Sequence, residues 1–164
     1  MKKFSLLFSL ALLLLLGACT TPADYNTSVM REVSRVERNA IEVARLLGEK
    51  DFEAALIAFR EGKDQSKRSL RRLQRMSAFR DDDALRQAAI DFVAFYDGLF
   101  TNEYQHAFDL LQRGAPYTME EADLLFEIKN NIAERGTEVK RHLVNENLAF
   151  MRRYNLFIGR TPVP

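Results

Sequence analysis

Apolar residues recur along this chain at alternating spacings of three and four, which place side chains on one face of an α-helix. The first stripe consists of Val29, Val33, Val36, Ala40, Val43 and Leu47. Gly48 follows it and can cap the C-terminus of a helix. Asp51 can then cap the N-terminus of a second helix. The stripe of this second helix is polar in its middle and consists of Phe52, Leu56, Phe59, Lys63, Ser66, Leu70, Leu73 and Ser77.

Two further stripes follow the run Arg-Asp-Asp-Asp at residues 80–83, which places negative charge at a helix start. The third stripe consists of Leu85, Ala88, Phe92, Tyr96, Leu99, Glu103 and Leu110. Gly114 and Pro116 end this helix, and Thr118 with Glu121 fits a capping box for the next one. The fourth stripe consists of Leu125, Ile128, Ile132, Val139, Leu143, Phe150 and Phe157.

These patterns predict an all-α protein of one domain. The predicted helices span residues 25–48, 51–79, 82–113 and 118–157, within a bundle over 25–158 and before a tail at 159–164. Amphipathic helices joined by short connectors favour an antiparallel up-down-up-down four-helix bundle. The heptad-like spacing favours this geometry over crossed, globin-like packing.

The N-terminus has the pattern of a secretory signal peptide. Lys2 and Lys3 provide the positive charge, and the apolar run 4–16 is too short to span a bilayer as a mature helix. The run ends in Leu-Gly-Ala-Cys at residues 16–19, which resembles the lipobox of bacterial lipoprotein precursors, and Cys19 is the only cysteine of the chain. We therefore expect cleavage of a leader at 1–18 and lipidation of Cys19, followed by a tether at 19–24.

Lipidation would define the location and the charge of the mature protein. Acyl chains on a cysteine anchor a protein stably without a membrane-spanning helix. Thr20 stands where lipoproteins retained at the inner membrane typically carry Asp, so the resemblance to sorting signals favours the outer membrane in a Gram-negative source. Loss of the leader leaves 22 basic and 23 acidic side chains, and this near-neutral balance gives no electrostatic drive towards nucleic acid.

Charged residues near the centres of the apolar faces are the first candidates for a functional site. An advance of about 100° per residue places Lys63, Glu103 and Glu146 there, with His106, Arg135 and His142 at the edges. Lys63 and Glu103 should lie at similar depth, where they would form a buried polar pair that fixes helix register. The alternative is that both side chains extend their charged ends to solvent.

The segment Glu-Tyr-Gln-His at residues 103–106 resembles half of the carboxylate-bridged di-iron motif of ferritin-like bundles. A complete site needs a second Glu-x-x-His, whereas the fourth helix offers only Glu138 with His142, one residue too long, and His142 with Glu146 in reversed order. A metal site at Glu103 and His106 is therefore the minor alternative, and we expect neither a metal nor another cofactor apart from the lipid. No catalytic constellation is recognisable, so the sequence does not predict an enzyme.

A basic stripe is predicted on the second helix, away from its apolar face. It consists of Lys67, Arg68, Arg71, Arg72 and Arg75 and is about 12 Å long at the helical rise of 1.5 Å per residue. Such a surface suits anionic lipid headgroups or an acidic surface polymer. The alternative is a solvated helix face whose charge neighbouring acids neutralise.

Several segments resemble an uncharacterised family of bacterial surface lipoproteins. The likeness rests on a Lys-Asp-Phe turn at 50–52, a Phe-Arg-Asp linker at 79–81 and Arg-Tyr-Asn at 153–155. It implies a lipid-anchored helical bundle of the cell envelope and supplies no reaction or ligand. The sequence thus favours a binding or structural module whose partner is an envelope protein or a surface polymer, and it leaves ligand, oligomeric state and membrane face open.

Overall fold

A computed structural model describes residues 20–156, with the side chains of residues 103 and 104 outside the description. This part of the chain is all-helical and contains no strand. Its elements are α1 (Pro22–Gly48), α2 (Phe52–Arg75), α3 (Ala84–Gly98), the π-helical segment Leu99–Glu103, α4 (Tyr104–Arg113) and α5 (Met119–Arg153). None of the described helices has the length and apolar character needed to cross a membrane. The predicted leader, Cys19, Phe157 and the predicted tail lie outside the described residues.

Helix α1 begins three residues earlier than the sequence pattern predicted. The Thr21 side chain accepts a hydrogen bond from the backbone N–H of Asp24 at 3.1 Å, and Pro22 occupies the first helical turn. A threonine cap followed by proline is a favourable helix start, because proline lacks the N–H that would otherwise be unpaired there. Only Thr20 and Thr21 therefore separate Cys19 from the helix.

Helix α2 ends at Arg75 and not near residue 79. Met76 has an extended backbone with ψ of 137°, and Arg80 and Asp81 have positive φ angles of 49° and 66°. This irregular path returns the Phe79 ring to the core, where only 6% of the residue is exposed. The ring centroid lies 5.3 Å from that of Tyr25. Burial of an aromatic ring thus outweighs continuation of the helix.

The third predicted helix is divided by the π-helical segment into α3 and α4. A π turn contains an extra residue, so it changes which side chains face the core afterwards. Ala107 and Phe108 are buried beyond the segment, whereas Leu110 of the predicted stripe is only half-buried. The predicted phase of the apolar stripe is therefore wrong in α4.

The start of α5 agrees with the prediction in detail. The backbone N–H of Thr118 donates to Oε2 of Glu121 at 2.9 Å, and the backbone N–H of Glu121 donates to Oγ1 of Thr118 at 3.2 Å. The predicted capping box is confirmed. The helix ends at Arg153, and Asn155 has a positive φ of 54°, so the helix stops four residues before the predicted end.

The core confirms the first stripe and shifts the second. In α1 the five predicted residues from Val29 to Val43 are buried, although Leu46 is buried more deeply than Leu47. The buried face of α2 consists of Ala55, Phe59, Gly62, Ser66, Ser69 and Leu73. Lys63 lies at its edge, because small residues occupy the face on which α2 packs most extensively against α1.

Candidate functional site

A buried carboxylate lies between α1 and α2. The Glu32 side chain is 6% exposed, and its Oε2 accepts a hydrogen bond from the Ser69 hydroxyl at 2.8 Å. The Gln65 amide donates to the same hydroxyl oxygen at 2.9 Å. Arg35 donates to Oε1 of Glu32 at 2.6 Å, and the Arg72 guanidinium lies 3.4 Å from both carboxylate oxygens. One charge from α1 is thus bound by groups from both helices.

This network is of the kind that fixes the position of one helix, α1, relative to its neighbour, α2. A buried carboxylate is tolerated only where hydrogen bonds and opposite charge compensate its lost hydration. The charged groups of Arg35 and Arg72 belong to side chains that are 35% and 53% exposed, so they provide that compensation from the solvent side. Glu32 is not among the residues that the apolar pattern singled out, although its position three residues after Val29 and four before Val36 places it on the apolar face.

The polar middle of α2 makes a second contact, with α3. The Ser66 hydroxyl is buried and lies 2.6 Å from Oδ1 of Asp97 and 2.9 Å from the backbone carbonyl of Lys63. Ser66 and Ser69 therefore connect α2 to both neighbours. The buried face of α2 is polar in its middle, as the sequence pattern indicated. The polar groups there that bind the neighbouring helices are the hydroxyls of Ser66 and Ser69.

The predicted pair of Lys63 and Glu103 is not tested by these contacts. Lys63 is half-buried on α2, and Glu103 is the last residue of the π-helical segment. The Glu103 side chain lies outside the description. The pair, and the metal site that would use Glu103, stay predictions.

His106 is exposed on α4 and lines a shallow cleft of about 250 Å³ with Asp109, Glu120 and Glu121. Glu121 is already engaged, because Arg113 pairs with it at 2.6 Å and Thr118 binds it in the capping box. The Arg113 hydrogen bond, with help from Thr118, lowers the pKa of the Glu121 carboxyl. Among the side chains that the structure describes, no three His, Cys, Asp or Glu residues form a metal-binding group.

The second histidine and its predicted neighbours are spread along α5. His142 is exposed, as is Arg135, whose guanidinium lies 5.8 Å from the centroid of the Phe95 ring. Glu146 is half-buried. His142 and His106 lie on different helices and share no described cleft.

The basic stripe of α2 faces away from the core. Arg68, Arg71, Arg72 and Arg75 are exposed, and Lys67 is half-buried. Arg72 turns towards Glu32, and Arg68 donates to Oε1 of Gln65 at 3.2 Å. The stripe also borders a polar groove of about 520 Å³ whose cationic members, on the two helices, are Arg35, Arg38 and Arg68. Glu61 and Asp64 line the same groove, so its charge is mixed.

A third cleft lies next to Thr20, the residue after Cys19. It has a volume of about 560 Å³ and is lined mainly by the loop after α2, including Met76, Phe79 and Arg80. Tyr25 also lines this cleft, and the centroid of its ring lies 5.6 Å from that of Phe150 on α5. The described chain therefore begins beside an aromatic cluster that joins α1, the loop after α2 and α5.

Comparison with models of protein families, with curated proteins and with solved structures found no match to this chain.

Proposed function

We propose that this chain is a lipid-anchored protein of the cell envelope whose helical body is a non-enzymatic binding or structural module. The observation that carries the proposal is the junction at Cys19: a leader and lipobox pattern is followed after two residues by a capped helix. The resemblance to bacterial surface lipoproteins supports the same function. A covalent lipid on Cys19 would be the only cofactor.

The helical body is best accounted for as an antiparallel up-down-up-down four-helix bundle, with α3, the π-helical segment and α4 as its third rod. Four contacts between helices support this arrangement. They are Asn26 with Asn147 at 2.5 Å, Glu37 with Lys140 at 2.8 Å, Glu32 with Ser69 at 2.8 Å and Ser66 with Asp97 at 2.6 Å. The contacts of α1 with α5 run in opposite directions along the two helices, because Asn26 precedes Glu37 whereas Asn147 follows Lys140. For α2 and the third rod, Arg86 near the start of α3 donates to the backbone carbonyl of Leu73 near the end of α2, whereas Phe100 packs on the earlier Gly62. Glu32 in the first half of α1 contacts Ser69 in the second half of α2.

The proposed anchor also predicts which end of the helical body faces the membrane. Thr20 and Thr21 span at most about 7 Å, since an extended residue covers about 3.5 Å. The N-terminal end of α1 would therefore lie close to the headgroups. Asn26 contacts Asn147 near the end of α5, so the C-terminal part of α5 would lie at the same end.

The exposed arginines of α2 are the surface that this module offers to an anionic partner. Arg71 and Arg75 point to solvent on the face opposite Leu73, which is fully buried. A row of cations of this kind suits lipid headgroups or an acidic surface polymer, with a contribution of about 1 kcal/mol per residue near an anionic membrane. An envelope protein with an acidic surface is the other partner that this chemistry accepts.

The anchor is tested by metabolic labelling of the full chain with radioactive palmitate, together with membrane fractionation after a salt wash. The unmodified chain should take up label and pellet with membranes, whereas Cys19→Ser should take up none and appear in the soluble fraction. Thr21→Ser is the matched control, because serine also caps a helix. Pelleting of Cys19→Ser after the salt wash would disprove the lipid anchor.

The proposed location in the outer membrane is tested by density-gradient separation of inner and outer membranes from a Gram-negative host. We expect the unmodified chain in the outer-membrane fractions and Thr20→Asp in the inner-membrane fractions. Equal distribution of both proteins would contradict the proposed outer-membrane location and leave lipidation itself unaffected.

A further inference from the structure

Helix α5 carries a second apolar face, which the rest of the described chain does not cover. Five of the seven large apolar side chains that are exposed within residues 20–156 belong to this helix. Its inner face buries Ile128, Leu143 and Phe150. A 35-residue helix with apolar side chains on two sides has room for one more packing partner.

Four of these exposed side chains form a single stripe. They are Met119, Phe126, Val144 and Leu148, and they are 82%, 62%, 46% and 39% exposed. At 100° per residue all four lie within about 40° of one another, along about 44 Å of helix. Ile128 and Leu143 point to the opposite half of the helix. We call these four residues the outer stripe.

We propose that the outer stripe is a dimer interface, in which α5 of one copy packs in parallel against α5 of a second copy. The parallel orientation rests on the proposed lipid anchor. Two copies anchored through Cys19 in one membrane have the same direction, so a two-fold axis normal to the membrane aligns their α5 helices. Each outer-stripe residue then meets its own counterpart, as a self-complementary interface requires.

Residues beside the outer stripe fit a parallel pair. Asn130, which lies within the stripe between Phe126 and Val144, would face its counterpart, and an amide at such a position specifies register in parallel coiled coils. Lys129 and Glu134 are exposed on opposite edges of the stripe. Their separation of five residues is that of the charge pairs between parallel helices, so each Lys129 would reach Glu134 of the second copy.

Asp123 and Arg141 oppose this pairing, because both are exposed about 40° from Met119 at one edge of the outer stripe. Two carboxylates or two guanidinium groups facing each other would repel, which makes the dimer a weak one that the shared membrane favours. Confinement of both copies to one surface raises their effective concentration. The interface is therefore expected to form mainly in the anchored protein.

The test is disulfide formation in membranes that contain the full chain with Cys19 retained. Phe126→Cys should give covalent dimers under mild oxidation. Leu124→Cys is the control, because residue 124 is also exposed but lies about 160° around the helix from Phe126. It should give none, since a disulfide needs Cα atoms within about 7 Å of each other. Equal crosslinking of the two variants would contradict the interface.

The parallel direction of the two α5 helices is tested by crosslinking two different cysteine variants with each other. Differently tagged copies of Phe126→Cys and Arg141→Cys should crosslink poorly with each other, because residues 126 and 141 meet only in an antiparallel pair centred on the outer stripe. Efficient mixed dimers would overturn the parallel arrangement.

Palmitate labelling of the same samples separates the two proposals. Labelled chains in which Phe126→Cys stays monomeric would disprove the dimer and leave the anchor intact. Dimers of unlabelled chains that form with Phe126→Cys and not with Leu124→Cys would disprove the anchor and leave the outer stripe as the interface, since a free Cys19 would crosslink both variants equally. In labelled membranes Phe126→Asp should abolish crosslinking through Ala133→Cys, which lies on the same face, while its thermal unfolding should match that of the unmodified chain.

Discussion

The Ser69 hydroxyl on α2 donates to the buried carboxylate of Glu32 on α1 at 2.8 Å, and neither residue is more than 4% exposed. This hydrogen bond holds the most extensive helix pair of the described chain in one register. Ser69 belongs to the buried face of α2 that the structure shows and not to the predicted second stripe. The predicted pair of Lys63 and Glu103, between the second and third helices, stays a prediction.

Ser69→Ala should lower the free energy of unfolding by about 1–3 kcal/mol, because it removes a hydrogen bond from a buried carboxylate. Ser77→Ala is the control, since Ser77 is exposed in the loop after α2 and its replacement should change stability by less than about 0.5 kcal/mol. Urea unfolding of both variants measures the difference. Equal stability of the two would mean that solvent or Arg35 replaces the serine without loss.

Gly62→Ala should destabilise the protein by about 1–3 kcal/mol through overpacking. A Cβ atom at this position would come within 2.7 Å of Cζ of Phe100, whose ring is fully buried. Helix propensity alone predicts the opposite sign, because alanine is favoured over glycine in a helix by about 1 kcal/mol.

Gly48→Ala is the matched control, since the added Cβ there would have no atom within 4 Å apart from the adjoining residues and the nearby backbone of its own helix. It should be neutral or slightly stabilising in the same denaturation experiment. Stabilisation by Gly62→Ala would show that the Phe100 ring moves aside at little cost, which contradicts tight packing at the π-helical segment.

Tyr25→Phe should leave stability unchanged or raise it by up to about 1 kcal/mol, because the hydroxyl it removes is buried. Within the part of the chain that the structure describes, this hydroxyl has no hydrogen-bond partner. Calorimetry near neutral pH measures the change. A loss above about 1 kcal/mol would indicate that a water molecule or a neighbouring carboxylate binds the hydroxyl.

The same substitution should flatten the alkaline side of the stability profile. Burial raises the pKa of Tyr25 above 10, and the charge of Asp83 raises it further. Above pH 10 the unfolded chain therefore loses this proton before the folded chain does, so the free energy of unfolding falls as the pH rises. In Tyr25→Phe the fall should be smaller. Part of the remainder comes from Tyr96, whose pKa is raised by burial, and from Lys140, whose pKa is raised by the hydrogen bond to Glu37.

Thr118→Ala should cost about 1 kcal/mol, because it removes the side-chain half of the capping box at the start of α5. Thr137→Ala is the control on the same helix. Thr137 is exposed in the interior of α5, where alanine has the higher helix propensity, so this change should be neutral or stabilising. Equal losses would assign the effect to general helix content and not to the cap.

Native mass spectrometry with metal analysis should give the metal-free mass for the protein purified without chelators. His106 is exposed, and Glu121 in the same cleft is bound by Arg113, so the described side chains there are poorly arranged for a metal. A stoichiometric metal that disappears in both Glu103→Ala and His106→Ala would contradict this expectation and establish the ferritin-like alternative.

The sequence by itself determined the features that depend on neighbours along the chain. The period of the apolar residues gave the all-helical class and the buried face of α1. The types of residue at the helix starts predicted Asp51 and Thr118 as caps, which is where the structure has them. These features follow from local backbone geometry, which a short segment of sequence specifies on its own.

Only the tertiary structure decided where the chain departs from the helices and buried faces that its local pattern predicts. The Phe79 ring leaves the helical path because a cluster of Tyr25, Phe150 and Tyr154 can bury it. The π-helical segment lies where Phe100 packs on Gly62, and the buried face of α2 turns towards its small residues because α1 approaches there. Each outcome depends on packing between segments that are distant in the sequence, so it cannot be predicted from the periodicity of a single helix.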